Sequence, residues 1–487
     1  MTSSTTTASP SQPAPVRPAT RTGLLLAVVL GAQFMAVLDA SIVNVAIPSM
    51  HADLGADGAG LQLILAGYVI AYAVLLVTGA RLGDRLGQRT MFVTGLTAFS
   101  AASLACGLAW STEVLIAFRF VQGAGAAMMV PQVMTLIQVT FAGEARGRAL
   151  SLYAAVISGG AVVGQVFGGL IVSSDVGGTQ WRGVFLVNVP IGLLLLALAP
   201  RVLPGGSARP GHRLDLRGLA LLTPTVLLLV VPLVLGHEED WPLWGWVMLA
   251  ASAVLLAAFV AVERRVEASG GAALFPGRVL RARGLVPAAA GQFLVMSTFS
   301  ASLFTMAIHL QSALGYTALH AGLLFIPMAG CFAVASMTWR RVPMRHHARM
   351  IPAGLVLAAA SLVAMGVLLR DGRGFGVAAL VVFGVMGLGF GAAFSPLMAV
   401  ALGRVPLVEA ADASGFVTTL VQLGNVVGVA TFGTLYLTRA DDGVRHASAE
   451  AIEVTDLAQA GAIVVAACLA WLATRPAPAP AAVPDPV

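Results

Sequence analysis

The chain has 487 residues, of which 58% are hydrophobic and only 10% charged, and its mean hydropathy is +0.89. A soluble domain must cover its surface with polar groups, so this balance excludes one and makes lipid the main solvent. The net charge of +6 and pI near 9.9 do not point to nucleic acid. All 28 basic residues are Arg, scattered in short breaks between apolar runs, where they read as topology signals rather than a phosphate-binding surface.

Residues 1–21 are rich in Ser, Thr, Pro and Ala and lack an apolar core, so they read as a disordered cytoplasmic tail rather than a cleavable leader. Each crossing of hydrocarbon takes roughly 20 apolar residues as a helix. Such runs predict spans at 22–50, 60–80, 90–109, 111–139, 147–172 and 182–200, then at 217–236 and 243–262. Six more follow at 284–310, 320–340, 349–369, 374–402, 410–437 and 459–474. The expected fold is therefore all-α and polytopic, with about 14 transmembrane helices arranged 6 + 2 + 6. Its parts are a six-helix bundle at 22–200, a linker with two extra spans at 201–283, a second bundle at 284–474 and a disordered cytoplasmic tail at 475–487.

Arg clusters mark the cytoplasmic loops. They follow span two (Arg81, Arg85, Arg89), span four (Arg146, Arg148), span six (Arg201, Arg209, Arg213, Arg217), span eight (five between Arg264 and Arg283) and span ten (Arg340, Arg341, Arg345, Arg349). The opposite loops carry acids, as at Glu238 to Asp240 and at Asp441, Asp442, Glu450 and Glu453. Both termini are thus expected in the cytoplasm, with the chain in a bacterial cytoplasmic (inner) membrane.

Span one carries Asp39, the only carboxylate well inside the first six spans. Burial disfavours the charged form of a carboxylic acid and so brings protonation within reach; ionisable groups at membrane depth mark ion pathways. Asp39 is the expected proton carrier, with a structural, hydrogen-bonded Asp as the alternative. The turn after span two reads GARLGDRLGQR over 79–89, and here the sequence resembles the major facilitator superfamily. Asp84, Arg85, Gly87 and Arg89 match the hallmark loop, while Ala80 and Gln88 depart from it. The resemblance implies a conformational latch at the cytoplasmic face.

Span four contains RFVQGAGAA over 119–127, which matches the family's fourth-helix motif. At about 100° per residue Arg119, Gln122, Gly123 and Ala126 share one face. A guanidinium at membrane depth is costly unless it faces protein or water, and the resemblance implies that Arg119 takes part in proton coupling. Span five contains GAVVGQVFGG over 160–169, similar to the motif that marks antiporters in the superfamily. Gly160, Gly164, Gly168 and Gly169 are expected to pack helices closely, although Gln165 stands where Pro is usual. LDASIVNVAIP over 38–48 resembles the signature of the fourteen-span drug:proton antiporters, as do stretches at 309–322 and 414–425.

Two polar stripes lie on otherwise apolar helices. Thr298, Ser302, Thr305 and His309 share one face, as do Ser414, Thr418, Gln422 and Asn425. They suggest a water-filled cavity, with interhelical hydrogen bonding as the alternative. The substrate cavity is assigned to Gln33, Asn44, Gln122, Ser302, Thr305, His309, Thr418, Gln422 and Asn425, though Gln33 and Asn44 lie on a different face of span one from Asp39. Cys106, Cys331 and Cys468 fall inside apolar runs with no C-x-x-C spacing or His cluster, so no metal and no cofactor is expected.

The reading is a proton-coupled antiporter, not an enzyme, that exports a small lipophilic drug or antibiotic by alternating access. Its partners are the substrate, protons and the lipid bilayer, with a monomer as the functional unit. The alternative is a proton-coupled uptake symporter for a small metabolite.

Overall fold

The computed structural model describes residues 19–474 except 57, 175–177, 206–215, 237–240, 270, 272, 404, 407–408 and 441–443. The tails before 19 and after 474, and the loop residues Arg209, Arg213, Glu238 to Asp240, Asp441 and Asp442, therefore lie outside the described residues. No strand occurs among the residues described.

Fourteen helices of 13 residues or more follow one another among them. They are α1 (Ala19–Leu54), α2 (Gly58–Leu86), α3 (Gln88–Gly107), α4 (Thr112–Thr140), α5 (Gly143–Ser174), α6 (Asn188–Val202) and α7 (Leu216–Leu235). Then come α8 (Leu243–Ala268), α9 (Leu285–Ile308), α10 (Ile326–Thr338), α11 (Met344–Leu369), α12 (Val377–Gly403), α13 (Ala410–Gly428) and α14 (Arg445–Thr474). Thirteen described segments are long and apolar enough to cross a membrane. The 32-residue α5 is not among them. Helices suit such a sequence because every backbone N–H and C=O is satisfied within the segment, which hydrocarbon demands.

Several boundaries differ from those predicted. α2 stays helical through Arg85 to Leu86, so Asp84 and Arg85 project from a last helical turn rather than from a loop. The reversal is confined to Gly87, whose φ of 94° is available to glycine without a Cβ clash. The sixth crossing is broken into a 3₁₀ turn at Gln180–Arg182, a short helix at Gly183–Leu186, and α6. α14 begins at Arg445, not at 459. Glu450 and Glu453 can join that helix because Glu450 is exposed and Glu453 pairs with Arg370 at 3.4 Å on the rim, while Ala451 and Ile452 face inward. α9 and α13 each continue into a π-helical turn, at His309–Ala313 and Val429–Gly433.

The first six helices pack mainly on one another, with α4 against α2 and α3, and α1 against α5. The last six do likewise, through α9 with α13 and α14, and α11 with α12 and α14. α7 pairs with α8 and docks on α2; Val226 and Val230 of α7 and Phe259 of α8 share one apolar cluster with Ile70 and Val77. The two sets meet where α5 runs along α10 and where α13 touches α4 and α2. On that seam Arg340 Nη1 donates to the Glu144 carbonyl at 2.6 Å.

The far end of α1 is tied down by charge. Asp53 accepts from Trp181 Nε1 at 3.0 Å and from Arg182 Nη1 at 2.6 Å, and Arg182 also stacks on Trp181. The Trp181 hydrogen bond, followed by that of Arg182, holds the Asp53 carboxyl below its usual range. A depressed folded-state value contributes stability above the ordinary Asp range and loses it as pH falls through the folded value. Asp53→Asn should therefore lower thermal stability slightly at neutral pH, by less than about 1 kcal/mol for so exposed a pair. The gap from the parent protein should close on acidification; a gap that widens would contradict this role.

Candidate functional site

The site is built where α4 comes unusually close to its neighbours. A Cβ on Gly123 would lie 2.3 Å from the Tyr68 carbonyl oxygen, so only glycine lets α4 approach α2 at this level. That approach brings Arg119, one turn earlier, under the Tyr68 ring, with its guanidinium carbon 4.6 Å from the ring centroid and 5.7 Å from that of Phe185. Arg119 Nε donates to the Ile64 carbonyl at 2.9 Å. Arg119, Gln122, Gly123 and Ala126 are all buried.

Arg119 Nη1 reaches Asp39 Oδ2 at 2.6 Å, with exposures of 1% and 0% for the two side chains. The other carboxylate oxygen, Oδ1, accepts from Gln122 Nε2 at 2.7 Å and Asn188 Nδ2 at 2.8 Å. Arg119 Nη1 also donates to Gln122 Oε1 at 2.7 Å. Ser103 Oγ accepts from Gln122 and Asn188, both at 3.1 Å, and donates to the Phe185 carbonyl at 3.0 Å. Side chains from α1, α3, α4 and α6 and a carbonyl from α2 thus converge on one ion pair. Taking two charges out of water is expensive, and only this density of hydrogen bonds offsets it. A proton arriving at Asp39 would compete directly with Arg119.

The glycines of α5 press on α1 at the same level. A Cβ on Gly164 would lie 2.9 Å from both the Leu38 carbonyl oxygen and Ser41 Cβ, and one on Gly160 would lie 3.1 Å from Val37 Cγ1. Gly168 is buried and Gly169 half-buried on the same helix. The side chain of Gln165 lies outside the described residues.

At the end of α2, Asp84 pairs with Arg81 of its own helix at 3.4 Å, and Arg85 is exposed. Arg89 donates to the Pro200 carbonyl at 2.7 Å. Arg81 also lies over the Phe275 ring, 5.4 Å from its centroid, and Phe275 packs edge-on to Phe416 of α13 at 5.3 Å. The end of α2 therefore touches the second set of helices through an aromatic bridge.

The residues assigned to a substrate cavity fall into separate groups rather than one set. Gln122 belongs to the charge network. Gln33 is buried, and its Oε1 has no partner among the described residues. Asn44 is exposed, about 140° round α1 from Asp39. Ser302 Oγ donates to Gln459 Oε1 at 2.5 Å, and His309 Nδ1 lies 2.7 Å from Ser448 Oγ, so both turn onto α14. Thr305 bonds back to the Ala301 carbonyl. On α13, Gln422 accepts from Asn425 at 2.9 Å, Asn425 accepts from Ser300 at 2.5 Å, and Thr418 is buried.

The sequence reading missed Ser103, Asn188 and Tyr68. Asn188 had a visible signal, an amide inside an apolar run; Ser103 had none, since serines are ordinary in membrane helices.

The sequence profile of the Major Facilitator Superfamily matches residues 29–429. A probable actinorhodin transporter of Streptomyces coelicolor is 38% identical, over 91% of this chain and 78% of its own length. A cephamycin export protein of Amycolatopsis lactamdurans is 37% identical, over 83% of each chain. A puromycin resistance protein of Streptomyces alboniger is 34% identical, over 92% of this chain and 90% of its own. The fold is similar to that of the human organic anion transporter TETRAN, with a TM-score of 0.62 at 15% identity over 93% of this chain and 100% of that one.

Proposed function

The chain belongs to the Major Facilitator Superfamily, a family of transporters rather than enzymes, and from that premise we propose that it is a proton-driven exporter of a small antibiotic-like compound. Relatives named for export of, or resistance to, actinorhodin, cephamycin and puromycin support the direction and the class of cargo. The observation that carries the coupling is the sealed Asp39–Arg119 pair.

With Asp39 ionised, Arg119 is neutralised in place. Protonating Asp39 removes the counter-charge, and the guanidinium, which cannot give up its own proton, must be satisfied elsewhere. Relief requires α1 and α4 to shift. Because Gly160 and Gly164 hold α5 hard against α1, a shift of α1 carries α5 with it, and α5 forms the seam with α10. Proton and cargo then favour different states, which is all that exchange requires. In this reading all fourteen helices span a bacterial cytoplasmic membrane as two six-helix bundles at 22–200 and 284–474 around an inserted pair. Both termini are cytoplasmic, the cargo binds between the bundles, the last turn of α2 is the latch, and the monomer is the working unit.

Expression in an efflux-deficient bacterial host should raise tolerance to a subset of antibiotics, in a panel that includes puromycin and a cephamycin, and a protonophore should abolish the gain. Unchanged tolerance across the panel, or accumulation of a labelled compound in place of its exclusion, would overturn export.

A further inference from the structure

α14 carries a buried carboxylate outside the Asp39 network. Asp456 is 3% exposed, and its Oδ2 has no hydrogen-bond partner among the described residues. No cation pairs with it among those residues, in contrast to Asp39, which holds Arg119 and two amides. Its own turn of helix is polar and equally under-satisfied: Thr455 Oγ1 and Gln459 Nε2 also lack partners among the described residues. Two turns nearer the start of α14, Ser448 Oγ lies 2.7 Å from His309 Nδ1 and 2.6 Å from the Tyr436 hydroxyl.

The titratable and charged groups on the elements packed against α14 are few. α9 and its π-turn offer His309, and the turn at Thr434–Leu437 offers Tyr436. The core of α11 offers none; at its far end Arg370 is already taken by Glu453 on the rim, and Arg345, His346, His347 and Arg349 sit at its opposite, first turns. α12 and the π-turn after α13 contain no charged residue. On α14 itself, Arg445, His446 and Glu450 are exposed at the outer end. No group in this set supplies a counter-charge to Asp456. A bare carboxylate in such surroundings is far costlier than a neutral acid.

We propose that Asp456 carries a proton in this conformation and is a second exchangeable proton site of the transporter, set in α14 apart from the Asp39 network. It deepens the transport reading by giving the cycle a second proton, but its test does not depend on export.

The test is infrared spectroscopy of the purified full chain in liposomes at neutral pH, in water and in heavy water, with no cargo. The expected result is a carbonyl stretch of a protonated carboxylic acid that shifts downward in heavy water, is lost in Asp456→Asn and is retained in the Asp39→Asn/Arg119→Gln double variant. Absence of the band in the parent protein, its survival in Asp456→Asn, or a band that does not shift in heavy water would each overturn the proposal. If Asp456→Asn is not recovered as monodisperse protein, Asp456→Glu should keep the band at a displaced frequency, and an unmoved band would overturn it. Tolerance in the efflux-deficient host reads the transport proposal separately, so one can fail while the other stands.

Discussion

Asp39→Asn is expected to destabilise the purified protein far more than Arg119→Gln, and the Asp39→Asn/Arg119→Gln double variant should recover most of that loss. The asymmetry follows from chemistry. Removing the carboxylate strands a guanidinium that has 1% exposure and cannot deprotonate, and breaking a buried pair in this way typically costs roughly 3–5 kcal/mol. Removing the guanidinium instead leaves an acid that can take up a proton and keep its bonds to Gln122 and Asn188. The double variant contains only neutral amides at the two positions. Thermal unfolding of the four proteins gives the cycle directly. Independent losses that add to within about 0.5 kcal/mol would mean the pair is not coupled.

Gly123→Ala should be the second severe substitution. Its new methyl would meet the Tyr68 carbonyl oxygen at 2.3 Å and Ala71 Cβ at 3.0 Å. Backbone on the facing helix cannot rotate aside as a side chain can, so α2 must move away from α4. That movement pulls the Tyr68 ring and the Ile64 carbonyl off Arg119. Overpacking of this kind costs about 1–3 kcal/mol before the lost contacts are counted, and efflux should disappear with it. Gly159→Ala is the natural control. Nothing lies within 4 Å of a Cβ there, and Ala is worth roughly 0.5–1 kcal/mol over Gly inside a helix. The two Gly→Ala changes should therefore have opposite signs in a thermal-stability assay; equal losses would refute the close-approach argument.

Long apolar runs made the helices legible, because lipid leaves the backbone no other option. Their ends were less so. Arg81, Asp84 and Arg85 read as a loop by charge alone, yet α2 continues through them because its last turn projects beyond the apolar stretch. The same bias placed Glu450 and Glu453 in a loop and started the last span at 459, which hid Asp456 among flanking acids. Asp39 and Arg119 stood out as charges inside apolar helices. Their pairing did not, since α1 and α4 are 80 residues apart at that level, and nothing local says which faces meet. The stripe through Ser302 and His309 lies against α14, where the two side chains bond to Gln459 and Ser448. Whether it met water or another helix depended on Gln459 and Ser448, which lay in and beside a span whose start was misplaced.

The most direct measurement of the central claim is uptake of an exported compound into everted membrane vesicles under an imposed pH gradient, acidic inside. The compound is one whose tolerance the parent chain raises. The parent should concentrate it and lose that ability with a protonophore. Asp39→Asn and the better-folded Asp39→Asn/Arg119→Gln protein should show no gradient-driven uptake. Concentration of the compound by either variant, driven by the same gradient, would contradict the assignment of the proton to Asp39.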